Sequence, residues 1–453
     1  MPASSGLLSD FSMNPCGAPG NAGQDDLKID TDIHGPVLRF DWPAIQIGVG
    51  SYEEGPTGLT IFRFPHRAIG AVDVRGGAAA TVNTDTVRSG FEVDAIVFAG
   101  GSAYGEEAIT AVQTGLKDDG IRSGAWNNVA LAAGAIIYDF QAHRLNEIYP
   151  DKRLARGALH ELRPGLFPLG AQGAGRMAMQ GGFFGWPVHS GQGGAFRQAG
   201  DRKIAAFVVI NAVGAITDRD GNIVKHHGGP AQANKIRASD LLTHLPESRG
   251  RRWTRSTITP KGGHNTTVGL LVTNQKLTHA ELQRLAVQVH TSMARAIQPF
   301  ATLDDGDTLF ALSTAEIATN FVFSDLSAMA GELMWDAILA SVPEEPAFSP
   351  PVRVVGVSPV ELRACQGTYR FGPDALLKIT VSNEKLILDP GAIEFFDLEP
   401  HRPVPLQPIS ATEFYIQSLY HTRIAFEPDS SGQIAQALIN PGRWQQRGIR
   451  VTS

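Results

Sequence analysis

Between Gly262 and Thr273 the chain reads Gly-Gly-His-Asn-Thr-Thr-Val-Gly-Leu-Leu-Val-Thr, and this stretch limits the fold more than any other. A glycine-rich approach leads straight into an apolar run, which predicts a buried strand. The hydroxyls of Thr266 and Thr267 therefore sit at the mouth of a core element, where a self-processed N-terminal threonine would be placed. On the tripeptide Asn265-Thr266-Thr267 alone, a loop whose threonines satisfy backbone groups is the commoner arrangement.

The chain has 453 residues, more than one average domain holds, so two domains are expected, with ample material for a core. A hydrophobic content of 43% and a mean hydropathy of -0.08 describe a globular protein. No apolar run approaches the ~20 residues that span a bilayer, so no membrane partner is expected. The net charge of -6 is mild, and no cluster of Lys and Arg interleaved with aromatics suggests a nucleic-acid groove. Cys16 and Cys365 form neither a disulfide nor a metal pattern. No metal or cofactor is expected. Residues 1–36 read as a flexible tail without a secretory signal, and a cytoplasmic location is expected.

Glu53 and Glu54 lie in a turn, Tyr52 to Gly58, before a strand from Leu59 to Phe64; neighbouring carboxylates point apart, so a solvated turn is expected. A second extended piece, Ala71 to Gly77, follows. The strand Ala95 to Ala99 breaks into Gly100-Gly101-Ser102-Ala103-Tyr104-Gly105 and a helix, a spacing that fits neither a dinucleotide fingerprint nor a Walker loop. Close backbone packing, or room for a substrate chain, is the preferred reading. Tyr138 and Asp139 interrupt the apolar element Ala135 to Phe140. Glycines crowd residues 170–198, predicting tight packing or a cleft lining. Asn211 ends the strand Ile204 to Ile210, as a turn-former or an oxyanion donor. The polar segment 219–259, with His226, His227, Arg249, Arg251 and Arg252, reads as an exposed loop.

Thr278 and Glu281 have capping-box spacing, and apolar positions from Leu282 to Ile297 predict one helix ending before Pro299. Asp304-Asp305-Gly306-Asp307 follows; such a cluster commonly marks a solvated turn or a calcium-type loop, but EF-hand spacing is absent. Asp305 and Asp307 share one side if extended. A helix from Leu326 to Leu339 precedes a proline-rich linker, 341–352, and short alternating segments then predict an all-β domain over 353–453.

Six motifs, at 52–58, 72–77, 100–105, 137–140, 191–197 and 265–267, together resemble the P1 (S58-type) family of self-processing N-terminal-nucleophile peptidases. Gln-Val-His-Thr-Ser-Met at 288–293, Ile-Gln-Pro-Phe at 297–300 and Asp-Gly-Asp-Thr-Leu-Phe-Ala at 305–311 are most similar to its nylon-oligomer endohydrolase branch. The resemblance implies an α+β fold, a four-layer αββα sandwich over 37–340, cut between Asn265 and Thr266. It implies Thr266 as nucleophile, Asn211 as oxyanion donor, and Tyr138, Asp305 and Asp307 as orienting groups. A small amide or oligopeptide substrate and a homotetramer of processed heterodimers are implied as well. Thr267 is the substitute nucleophile should Thr266 not serve. One departure stands out: Gly182 occupies the position where that branch has a pocket lysine, and Arg176 is the nearest alternative cation. The C-terminal domain resembles a lipocalin-like barrel. An exo-acting β- or D-aminopeptidase and a processed but silent binding protein are the alternatives to an endo-acting amide hydrolase.

Overall fold

The computed structural model describes residues 27–122, 124–140, 148–185, 187–224, 236–243, 265–318, 322–344, 354–372, 375–391, 402–416, 422–441 and 445–451. The polar segment with His226, His227 and the arginine cluster, the glycine approach to Asn265, Cys16 and most of the linker lie outside them. The chain divides into two compact units, Leu27–Gln141 with Asn146–Pro346, and Ala347–Ser453; the second also includes 1–26 and 142–145, outside the described residues.

In the first unit the principal strands are β1 Gln46–Tyr52, β2 Thr57–Val74, β3 Val93–Ala99, β4 Ala132–Ile136, β5 Gln192–Ala199, β6 Arg202–Asn211, β7 Thr266–Gln275 and β8 Thr308–Ile317. The principal helices are α1 Glu106–Asp118, α2 Lys152–His160, α3 His279–Met293 and α4 Phe323–Leu339. The strands join in the order β5-β6-β7-β8-β2-β3-β4, with β1 on the first half of β2. The sequence predicts two separate pieces around Pro65. The structure instead runs them as one 18-residue strand. Its first half pairs with β3 and its second half with β8, and the register slips between Arg63 and Ala68. Pro65, which has no N–H for a ladder, falls at that slip, and Arg67 beside it takes φ 62. The bend lets the two halves of the sheet fold face to face.

Between the halves, Phe62, Ile96 and Phe98 meet Phe207, Val268, Leu270 and Phe310. The Phe62 and Phe207 rings lie 4.9 Å apart, and Phe167 stands 4.9 Å from Phe207. Outside, Ile204, Val208, Leu271 and Leu309 are covered by Leu282, Leu285 and Val289 of α3 and Leu333 and Met334 of α4. On the opposite outer face α1 packs on β3 and α2 on β1. The result is a four-layer αββα sandwich. It explains why β7 shows no polar alternation: Val268, Leu270 and Val272 face the other sheet while Leu271 faces the helices. Most of the glycine-rich stretch packs tightly: a Cβ on Gly175 would stand 2.4 Å from the Gln192 nitrogen, whereas Cβ atoms on Gly182 and Gly185 would meet open space.

The capping box forms, Thr278 N–H donating to Glu281 at 2.8 Å and Glu281 N–H to the Thr278 hydroxyl at 3.3 Å. The helix it starts is shorter than expected. After Met293, bonds spanning three residues tighten the chain into turns, and Ile297 lies in a short strand paired with Ala215–Ile216. Ile297 and Met293 reach the same core, which is why their spacing mimics a helix.

The second unit is a closed barrel of eight strands running from Gly367–Arg370 to Gln446–Arg450, each paired with the next. Tyr369, Leu377, Ile379, Leu386, Phe414, Ile424 and Phe426 fill its interior. Cys365 is buried here, and burial pushes its thiol up to about 11, so it is no nucleophile. No described helix is long and apolar enough to cross a membrane.

Phe207 joins the two sheets at the point of closest ring packing. Phe207→Ala is expected to cost about 3–5 kcal/mol of stability, measured as a lowered urea midpoint with an unchanged slope for the first unit.

Candidate active site

The first residue of β7, Thr266, pairs in register with the last residue of β6, Asn211. Side chains alternate along a strand, so Thr266 belongs to the same face as Val268 and Leu270, between the sheets. Thr267 belongs to the face of Leu271, under the helices. Both are buried. Of the two hydroxyls, that of Thr266 donates to the Asn265 carbonyl oxygen at 2.6 Å.

The residues before β8 hold the same peptide from the other side. Asn265 N–H donates to Asp304 O at 3.0 Å, and Gly306 N–H donates to Asn265 O at 2.7 Å. Thr267 N–H donates to Asp307 Oδ1 at 2.7 Å. Gly306 has to be glycine, because a Cβ there would stand 2.7 Å from Thr266 Oγ1. The Asn265–Thr266 bond is thus clamped, with its carbonyl oxygen receiving two donors.

Asp305 and Asp307 are buried, contrary to an ordinary solvated turn. Asp305 accepts from Val213 N–H at 3.0 Å, Thr302 N–H at 3.2 Å and the Thr302 hydroxyl at 2.7 Å. Asp307 accepts a second bond from Ala301 N–H at 3.0 Å. Burial raises the pKa of both carboxyls. The Asp305 charge raises Asp307 further, against the N–H donors of Thr267 and Ala301. Two like charges in one low-dielectric pocket disfavour ionisation of both carboxyls at once. Below them, Arg75 N–H donates to Asp307 O at 2.9 Å and Ala78 N–H to Asp305 O at 2.9 Å. A Cβ on Gly76 would stand 2.2 Å from Asp305 O, so the Val-Asp-Val-Arg-Gly-Gly motif is a strap under the carboxylates.

Asn211 is a crosslink, not a turn-former. Its Oδ1 accepts from Met179 N–H at 3.0 Å and its Nδ2 donates to Tyr138 O at 2.8 Å, which among the described residues leaves one amide N–H to spare. Tyr138 reaches this group through its backbone oxygen, while its ring stands edge-on to Phe140 at 5.5 Å. Its neighbour Asp139 is fully buried. It accepts from the Thr57 hydroxyl at 2.5 Å and Gly101 N–H at 2.7 Å, so the Gly100-Gly101 turn folds around a carboxylate. Arg176 forms a bidentate ion pair with Glu53, at 2.6 and 2.5 Å; Glu53 is thus an ion-pair partner and not only part of a solvated turn. Gly182 is exposed and a Cβ there would meet open space. The chain on either side of it is held by Gly214 O and Val213 O, next to the N–H that serves Asp305.

The donors at Val213, Ala301 and Gly306 escape a reading of the sequence, because a backbone N–H leaves no mark in residue type. Gly306, flanked by two aspartates, carries the one available signal. Among the described residues no group of three or more potential metal ligands gathers.

The central strand of the αββα sandwich opens on a buried threonine hydroxyl beside a carbonyl oxygen that receives two donors, and the sequence places this fold among the amide-bond hydrolases. More particularly, the chain belongs to peptidase family S58, whose profile matches residues 40–345. It is 40% identical over 337 residues to the 6-aminohexanoate-oligomer endohydrolase of Kocuria sp. (strain KY2), covering 71% of this chain and 90% of that protein. An uncharacterized aminopeptidase of Mycobacterium leprae is 31% identical over 304 residues, covering 63% and 78%. Among solved structures, the L-aminopeptidase D-Ala-esterase/amidase of Ochrobactrum anthropi aligns with a TM-score of 0.49 and 16% identity, over 69% of this chain and 88% of that one.

Burial, the largest influence, lifts Asp139 to about 6, against the Thr57 and Gly101 donors. A carboxyl raised on folding stabilises the fold most below its unfolded pKa of about 3.9, and that contribution is lost as pH rises through about 6. Asp139→Asn should therefore raise Tm relative to the natural protein more at pH 8 than at pH 4, read by calorimetry at both.

Proposed function

We propose that this protein cleaves itself between Asn265 and Thr266 and then hydrolyses internal amide bonds of 6-aminohexanoate oligomers or related small amides, with Thr266 as nucleophile. The observation that carries the reading is the convergence of the Thr266 hydroxyl and Gly306 N–H on the Asn265 carbonyl oxygen. Attack by Thr266 Oγ1 on the Asn265 carbonyl carbon turns that oxygen into an oxyanion, and Gly306 N–H is already bonded to it. Collapse breaks the C–N bond and moves the acyl group to the threonine oxygen, and the proton lost by the hydroxyl ends on the freed amine. Water then hydrolyses the ester, releasing residue 265 as a carboxylate.

The new α-amine, which ordinarily titrates at about 7.7–8.0, then serves as base for the hydroxyl of its own residue. On a substrate the spare N–H of Asn211 is the oxyanion donor, and Tyr138, Asp305 and Asp307 orient the amine and hydroxyl, Asp307 already holding the next backbone N–H, that of Thr267. The choice of Thr266 over Thr267 is supported by strand parity, since Thr267 belongs to the helix-covered face. Endo action is taken from the relative that is 40% identical. A silent binding protein is disfavoured by the barrel, whose interior is occupied by its own side chains.

In denaturing gels the 48.4 kDa chain should give fragments of about 28 and 20 kDa, the smaller beginning with threonine on N-terminal sequencing. Thr266→Ala should remain one band and inactive; cleavage or turnover by that variant would sink the proposal. Gly306→Ala presses on the nucleophile and should slow self-cleavage by about 10–100-fold, followed as band splitting over time. An N-acetylated oligomer should be cut as readily as a free one, and resistance to cleavage would indicate an exo mode.

A further inference from the structure

We propose that His290, acting through Asp73 and Arg75, is a positioning residue that fixes the Asp307 carboxyl from beneath the sheet; the inference rests on the reading of Thr266 as the nucleophile with Asp305 and Asp307 beside it. His290 lies in the last turn of α3 with its side chain wholly buried. Its Nδ1 stands 2.9 Å from Asp73 Oδ2, the same oxygen that receives Arg75 Nε at 2.5 Å. A carboxylate only accepts, so Nδ1 carries the proton and donates. Arg75 also donates from Nη2 to Val287 O of α3 at 3.1 Å, tying strand to helix.

From this cluster two routes lead to Asp307. Along β2, the backbone N–H groups of Arg75 and Gly76 donate to Asp307 O at 2.9 and 3.3 Å. Along the loop, the His290 ring packs edge-on against Phe300 at 5.5 Å, and Ala301, the next residue, donates its N–H to Asp307 Oδ2. Ala301 takes φ 56, a left-handed conformation that costs energy for a non-glycine residue and needs support from its surroundings. His290 therefore braces both the backbone of Asp307 and the donor that aims its carboxyl.

The charges around His290 suit a neutral ring. Asp73 faces it from β2 and Arg75 from just past the end of that strand; on α3 itself lies Arg284, and just past its end Arg295, paired with Glu332 of α4 at 2.7 Å; Asp305 and Asp307 stand beyond the strap. Burial is the dominant influence on His290 and lowers its pKa, outweighing the pull of Asp73; burial also pushes the Asp73 carboxyl up, but the His290 and Arg75 donors together hold it below the usual range. The neutral ring leaves Nε2 as a buried nitrogen without a partner among the described residues. A histidine kept only to fill space leaves that cost unexplained, because an apolar side chain would fill the site without it.

The test uses the full chain. His290→Phe keeps the ring and removes the Nδ1 donor, whereas His290→Asn keeps a donor near the Nδ1 position. His290→Phe should slow self-cleavage and lower kcat by about 10–100-fold with KM within about twofold, and should move the acid limb of the kcat profile. His290→Asn should restore most of both. Wild-type kcat and acid limb in His290→Phe, with only Tm lowered, would reduce His290 to packing and overturn the inference. If His290→Phe does not fold, Asp73→Asn and Arg75→Gln replace it, since those side chains are partly exposed. A displaced acid limb in either supports the inference, and an unmoved limb in both overturns it. Thr266→Ala runs alongside: if it still turns over substrate, the reading of the active site fails first, and if it is dead while the His290 variants are normal, only the bracing role fails.

Discussion

Two carboxylates two residues apart cannot be buried at low cost, and most of the site's local geometry follows from making that burial tolerable. Asp305 and Asp307 draw N–H donors from three separate places: the turn after β6 at Val213, the loop at Ala301 and Thr302, and the start of β7 at Thr267. Each donor has to arrive within hydrogen-bond distance, which fixes the parallel pairing of β7 with β8 and the strap at 75–78 relative to the acids. Gly76 and Gly306 occur where a Cβ would stand 2.2 Å from Asp305 O and 2.7 Å from Thr266 Oγ1. The same donors hold down what burial and mutual repulsion raise.

Much of this architecture can be read from residue order. β7 is legible because it is apolar on both faces, the start of α3 because its capping box is complete, and the barrel strands because they alternate. Other parts depend on contacts that spacing does not encode. The continuity of β2 through Pro65 is made by two different partner strands, one on each side of the slip. Ile297 shares a core with Met293 although the helix has already ended. Asp73 and His290 stand 217 residues apart and meet only after α3 packs on β2.

The candidate site divides in the same way. Asp305 and Asp307 can be recognised as a one-sided pair, and Asn211 as a polar residue closing a core strand. The choice between Thr266 and Thr267 needs to know which side of β7 faces the other sheet, which is a property of the layers and not of the tripeptide. Arg176 is the nearest cation by sequence, yet Glu53 from the turn before β2 holds it. Backbone donors such as Gly306 N–H are invisible by nature, since every residue but proline has one.

The strand order β5-β6-β7-β8-β2-β3-β4 sets what a cut before Thr266 would produce. Strands β7 and β8 would belong to the later fragment, yet β6 flanks them on one side and β2 on the other, both from the earlier fragment. The shorter chain would be threaded into the middle of its partner's sheet, hydrogen-bonded along both borders. Neither piece could leave without opening two ladders and both hydrophobic layers at once. A chain severed there would behave as one cooperative body, lost through slow unfolding and not through dissociation by dilution.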